Sequence, residues 1–210
     1  MYKCLRKHFD KINGKMLDFG CGSKPYKSEF KNVNQYIGVD IENEGHDHVN
    51  EDIDFFYDGQ KLPFASEEFD AVFANEVLEH VPNIENSLSE IKRVLKPGGQ
   101  LLLSMPFVFP EHEMPYDFRR LTVNGIKQIL TESGFEIIAI EKSGNFVEAI
   151  AQLIMLYLHD LLYTKNKYAN VIINLLFISP ICIIGILLNF ILPTNKSLYI
   201  DMVVFAKKQI

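Results

Sequence analysis

Short apolar runs that end in an acid recur along the first half of the chain. Leu17 and Phe19 flank Asp18, Tyr36-Ile37-Gly38-Val39 runs into Asp40, and Phe55-Phe56-Tyr57 runs into Asp58. Runs of this length, bounded by turn residues, predict buried strands. The same pattern predicts strands over 69–74, 100–107, 135–141 and 199–207. Between them the period becomes helical. Ile84, Leu88, Ile91 and Leu95 share one face of a helix that Pro97-Gly98-Gly99 ends, and Thr122 N-caps a helix over 123–133 that Gly134 closes. Leu5, Phe9 and Ile12 predict a short packing helix over 2–12, whereas Tyr26–Asn34 is polar and Lys-rich and predicts a poorly packed surface segment. The fold class expected is α/β: a seven-stranded, mostly parallel Rossmann-like sheet with helices on both faces.

The last third changes character. Residues 146–163 are apolar with a narrow polar stripe of Glu148, Gln152 and His159. A polar turn holding Lys165 and Lys167 follows, and residues 171–192 carry no charge over a length able to span a bilayer. Pro180 is expected to interrupt that run.

Candidate chemistry begins at the first strand. Asp18-Phe19-Gly20-Cys21-Gly22 is an acid-bearing strand end followed by two glycines, which let the backbone turn sharply and approach a ligand closely. A dinucleotide fingerprint needs a third small residue to open a helix over a pyrophosphate; Ser23-Lys24-Pro25 stands there instead. The form suits a nucleoside ligand without a pyrophosphate. Asp40 follows about 20 residues on, where an open α/β sheet places a carboxylate for ribose hydroxyls. Asn75 and Glu76 fall just past the fourth strand, at the sheet edge where ligands bind.

Taken in order, the glycine turn, Tyr36–Asp40, Asp58–Phe64, Phe69–Val81 and Ile91–Leu103 resemble the class I S-adenosylmethionine-dependent methyltransferases, within them the type-11 small-molecule group, over residues 14–143. The resemblance implies S-adenosylmethionine as cofactor, held by Asp18, Gly20, Cys21, Gly22, Asp40, Ile41, Asp58, Gly59 and Asn75, with the acid at Asp58 facing the adenine amine. It also implies a last strand antiparallel beside the fifth. Residues 1–145 and 194–210 then form the core, and 146–193 is an apolar helical insertion between strands six and seven.

The loop after the fifth strand, Pro110–Thr122, is dense in titratable and aromatic groups, and loops at that edge carry chemistry on a rigid scaffold. His112 is the expected general base, since its unperturbed pKa lies nearest neutral, with Glu111, Tyr116 and Arg119 placing the acceptor. Asp117 and His80 stand next in line, although His80 reads first as a packing or capping residue. His46-x-His48 reads as a solvated loop, and no metal ligands are assigned. Both Tyr-x-x-x-Lys matches, at Tyr57 and Tyr163, read as chance.

Net charge is −6 without a basic run, which disfavours nucleic acid. Three scattered cysteines predict reduced thiols in the cytoplasm, and residues 1–15 contain no apolar signal core. The shared sheet forbids a single span, and a spanning hairpin would send Lys165 and Lys167 outward against the usual bias. A hairpin lying in the inner face of the membrane is therefore the reading, against a soluble cap or homodimer contact. The expected function is methyl transfer to a small-molecule or lipid-linked acceptor such as a glycan or quinone, with a catalytically inactive cofactor-binding or membrane-associated regulator as the alternative.

Overall fold

The computed structural model describes residues 1–41 and 51–210; His46, Asp47 and His48 lie outside the described residues. Seven strands form one sheet: β1 (Gly14–Phe19), β2 (Val33–Ile41), β3 (Phe55–Tyr57), β4 (Phe69–Asn75), β5 (Leu95–Pro106), β6 (Phe135–Ser143) and β7 (Asp201–Lys208), in the order β3-β2-β1-β4-β5-β7-β6. The first five strands pair in parallel. β7 enters between β5 and β6, antiparallel to both.

Alternation along the strands divides the core in two. Leu17, Val72, Leu101, Leu103 and Val204 face α2 (Ile84–Val94) and α3 (Val123–Glu132), meeting Leu88, Ile91, Ile126 and Leu130. Met16, Phe73, Leu102, Val203 and Phe205 face the opposite way, onto Leu5 and Phe9 of α1 (Tyr2–Phe9) and onto Ile12 just beyond it. Each large side chain so buried contributes about 1.5–3 kcal/mol. Asn83 and Thr122 cap α2 and α3 by accepting the backbone N–H groups of Asn86 and Gly125.

Three local expectations are corrected. The 26–34 segment is no loose surface stretch: Phe30 is buried edge-on against Phe9 (4.8 Å) and Phe73 (5.1 Å). No long helix covers this part of the sheet, and one aromatic anchor fills the gap that a count of polar residues conceals. Pro97-Gly98-Gly99 lies inside an irregular start to β5, where the register against β4 shifts between Phe69 and Ala71. Pro180 does not interrupt its helix. α5 (Lys167–Ile173) runs through a π turn (Asn174–Ile178) into α6 (Ser179–Ile191), and the residues at both junctions stay right-handed. The wider π turn accommodates a proline that cannot donate to the preceding turn.

With α4 (Phe146–Leu162), this long helix makes an antiparallel hairpin inserted between β6 and β7. Gly185 lets the helices close up, since a Cβ there would sit 2.9 Å from that of Ala151. Asn145 caps α4 and bonds Asn189, whose amide donates to Glu148 at 3.0 Å. Away from this clasp the hairpin presents apolar side chains outward; Leu175 is 68% and Phe190 91% exposed. Gln152 ties α4 to the loop after β5 by donating to the Val108 carbonyl at 3.3 Å.

Candidate active site

β1 delivers Asp18 and the glycine turn to the carboxyl edge of the sheet. Gly20 adopts φ +71°, and a Cβ there would collide with Val77. The N–H groups of Gly20 and Cys21 donate to the Val39 carbonyl at 2.8 and 3.2 Å. Gly22 N–H donates to Asp40 Oδ2 at 2.8 Å, while Asp40 Oδ1 accepts from Ile41 N–H at 2.8 Å. Asp40 is thus fixed by two backbone donors and keeps half its acceptor capacity for a ligand. Asp18 is buried beneath the turn and accepts the Tyr36 hydroxyl; burial pushes its pKa up to about 7.

The turn opens on a cleft of about 370 Å³. Asp18, Gly20, Cys21, Gly22, Asp40, Ile41, Gly59 and Asn75 line it. Asp58 is exposed at the end of β3, outside this lining, with Oδ1 accepting from Gln60 and Lys61 N–H in its own turn. In place of a third glycine, Lys24 folds inward, its ammonium 2.7 Å from Asp54. At the end of β4, Ser104 Oγ lies 2.9 Å from both Asn75 Oδ1 and Glu76 Oε1. Burial and then Asp201 raise the Glu76 pKa to about 7.

The far end of the cleft is built by two loops laced together. Phe118 N–H donates to the Glu79 carbonyl at 2.9 Å. Arg119 donates to the carbonyls of Leu78 (2.9 Å), Val81 and Pro82 (2.9 Å). Its guanidinium therefore fastens the β4–α2 loop. Arg120 grips Asp117 with two nitrogens, at 2.5 and 2.7 Å, and this partner holds the Asp117 pKa down at about 2. Asp117 Oδ2 also accepts the backbone N–H of His112 at 3.1 Å.

Of the acceptor residues expected from sequence, Tyr116 lines the cleft; His112, Glu111 and Arg119 are outside the lining, and Glu111 is exposed. His80 lines the cleft, with the His112 ring edge-on to it at 4.7 Å. Glu113 joins them there, and Glu79 lies fully buried behind with its pKa raised to about 8, by burial first and then by Glu76. Sequence reasoning assigned no role to Glu79 or Tyr36. The signal for Glu79 was a lone acid inside the apolar run Val77–Val81, a position that demands a partner or a ligand.

Comparison with known proteins agrees with this geometry. Residues 17–103 match the family described as methyltransferase domain. Over those residues the chain is similar to that family. A sterol 24-C-methyltransferase of Gibberella zeae is 39% identical over 100 residues, 40% of this chain and 26% of that protein. A fatty-acid O-methyltransferase of Mycolicibacterium smegmatis is 26% identical over 162 residues, 71% of this chain and 58% of the relative. The chain thus spans less than two thirds of the length of these curated relatives. A solved phosphoethanolamine N-methyltransferase 2 of Haemonchus contortus, in complex with S-adenosyl-L-methionine, shares the fold with TM-score 0.59 at 22% identity, over 99% of this chain and 52% of that one.

Proposed function

We propose that this methyltransferase domain moves a methyl group from S-adenosylmethionine to a small, lipid-type acceptor. The observation that carries the reading is the Asp40 carboxylate, fixed by Gly22 and Ile41 N–H at the mouth of the glycine turn with acceptor capacity left over. The chemistry of the set fits that donor: Asp40 suits vicinal ribose hydroxyls, and the buried Asp18 beneath the turn suits an ammonium. Gly59 and Asp58 then border the adenine, with Asp58 Oδ2 left to accept from its amine. When bound, the donor supplies a sulfonium methyl that needs no further activation, so the residues of the cleft work by alignment.

The acceptor enters at the end formed by His80, Glu113 and Tyr116, with His112 behind His80. These groups orient an acceptor oxygen and ease loss of its proton. Two features support an apolar acceptor: Gln152 anchors the hairpin to the loop that carries this end, and much of the hairpin surface away from His159 and Asp160 is apolar. An apolar face this broad suits the boundary between headgroups and acyl chains, with His159 and Asp160 left on the water side. The hairpin therefore seats the enzyme on a bilayer.

The test is calorimetry with S-adenosylmethionine and S-adenosylhomocysteine, followed by a screen of lipid and small-molecule acceptors with a labelled methyl donor. Binding with transfer supports the reading. Binding without transfer to any acceptor favours a cofactor-binding regulator, and no binding overturns it.

A further inference from the structure

His80 and His112 are held in the same way. His80 Nδ1 lies 2.9 Å from the Tyr116 carbonyl oxygen. His112 Nδ1 lies 3.2 Å from Asp117 Oδ2 and 3.3 Å from the Pro110 carbonyl oxygen. The Tyr116 carbonyl fixes the His80 proton on Nδ1 and leaves its lone pair on Nε2; at His112 two oxygens favour the same tautomer, although an Arg120 nitrogen also lies 3.4 Å from that Nδ1. Histidines that bind metals are fixed by this arrangement, a carbonyl or carboxylate behind the ring setting the tautomer and raising the basicity of the other nitrogen. Asp117 is itself locked by Arg120, which makes the support for His112 rigid.

Glu79 completes the group. It is fully buried, and neither carboxylate oxygen has a hydrogen-bond partner among the described residues. A buried carboxyl with both oxygens unbonded is costly. Arg120, the nearby cation, already spends two nitrogens on Asp117. Ligand atoms of Glu79, His80 and His112 lie within 4.8 Å of one another, and His80 Nε2 is 3.8 Å from Glu79 Oε1. Ligands about 2.0–2.2 Å from a shared zinc ion stand about 3.4 Å apart, so side-chain movements of the order of 1 Å close the site.

We propose that Glu79, His80 and His112 bind a divalent transition-metal ion at the acceptor end of the cleft. Two imidazole nitrogens and one carboxylate select an ion of the zinc, cobalt or iron(II) kind over magnesium or calcium, which prefer oxygen throughout. The open coordination positions face the cleft, where Glu113 Oε2 lies 3.7 Å from His80 Nε2. The role of the ion rests on the methyltransferase reading. It binds the acceptor oxygen and lowers its proton affinity. The released proton passes to Glu113 or solvent, the oxygen forms its bond to the methyl carbon, and the carbon–sulfur electron pair leaves on sulfur.

The experiment is titration of chelator-treated full-length protein with ZnCl₂ by calorimetry and with CoCl₂ by visible absorption. Wild type should take one equivalent and give cobalt bands of a low-symmetry nitrogen–oxygen site. His112→Ala and Glu79→Gln should each weaken binding at least about tenfold while still binding S-adenosylhomocysteine, which reports an intact fold. A doubly substituted His46→Ala/His48→Ala chain should bind as wild type does. Absence of stoichiometric binding to wild type overturns the proposal whatever the variants do, as does binding that survives His80→Ala and His112→Ala together. Metal binding without S-adenosylhomocysteine binding keeps the site and sinks the methyltransferase reading. The reverse result keeps the enzyme and leaves His80 a plain base.

Discussion

Gly22 donates its backbone N–H to the Asp40 carboxylate across 2.8 Å, so the turn after β1 and the acid at the end of β2 form one unit. Asp40→Ala removes a charged acceptor from that unit without disturbing the core. S-adenosylmethionine should bind more weakly by about 1.5–3 kcal/mol, a loss of roughly ten- to 150-fold. Calorimetry on variant and wild type checks this, and unchanged affinity would place the ribose elsewhere.

Asp18 makes the site sensitive to pH. Its pKa is about 7 in the fold against 3.8 for an ordinary aspartate, so the folded state retains a proton that the unfolded chain releases. Stability of the ligand-free protein should fall as pH rises from about 4 to about 7, by up to about 4 kcal/mol. Urea unfolding across that window reads it, and Asp18→Asn should flatten the profile.

The same carboxyl should act on ligand binding with the opposite sign. A cationic ligand needs the ionised form, so S-adenosylhomocysteine, which carries an ammonium, should bind more tightly as pH rises toward 7, by about tenfold per unit at the steepest. Adenosine has no ammonium and should show a flatter dependence. Parallel profiles for the two ligands would remove Asp18 from the ammonium site.

Arg119 should matter for assembly of the acceptor end more than for donor binding. Arg119→Ala strips donors from the carbonyls of Leu78, Val81 and Pro82 and should cost about 1–3 kcal/mol of stability. Turnover should drop further than S-adenosylhomocysteine affinity. Lysine should rescue little, because one ammonium cannot replace a planar fork. Equal losses in turnover and donor affinity would assign Arg119 a global role instead.

The hairpin should carry the protein onto vesicles containing anionic lipid. Co-sedimentation should require residues 146–192, and a protease site placed between Lys165 and Lys167 should stay cleavable in bound protein. A protected site would show that the tip crosses. Absence of sedimentation would leave a second copy of the chain as the cover for this surface.

Local features of this chain were legible in advance and assembled ones were not. The strand ends at Asp18, Asp40 and Asn75 could be read because each follows directly from an apolar run. The antiparallel place of β7 followed from resemblance, and the pairing of β5 with β7 agrees. The histidines were harder. His80 and His112 lie 32 residues apart and meet only because β4 and β5 are neighbours whose following loops leave the same edge. Lys24 was misleading in another way. It read as the loss of a glycine motif, whereas its side chain fills the turn and anchors it to Asp54. Phe30 was hidden by the lysines around it, since composition averages over a window and packing needs one ring.

The position of β7 sets an order of events during synthesis. β5 and β6 flank a slot that only residues 201–208 fill, and the hairpin must be translated before them. A ribosome-bound chain therefore exposes its apolar arm while the sheet still has two unpaired edges. That intermediate is the state most open to aggregation.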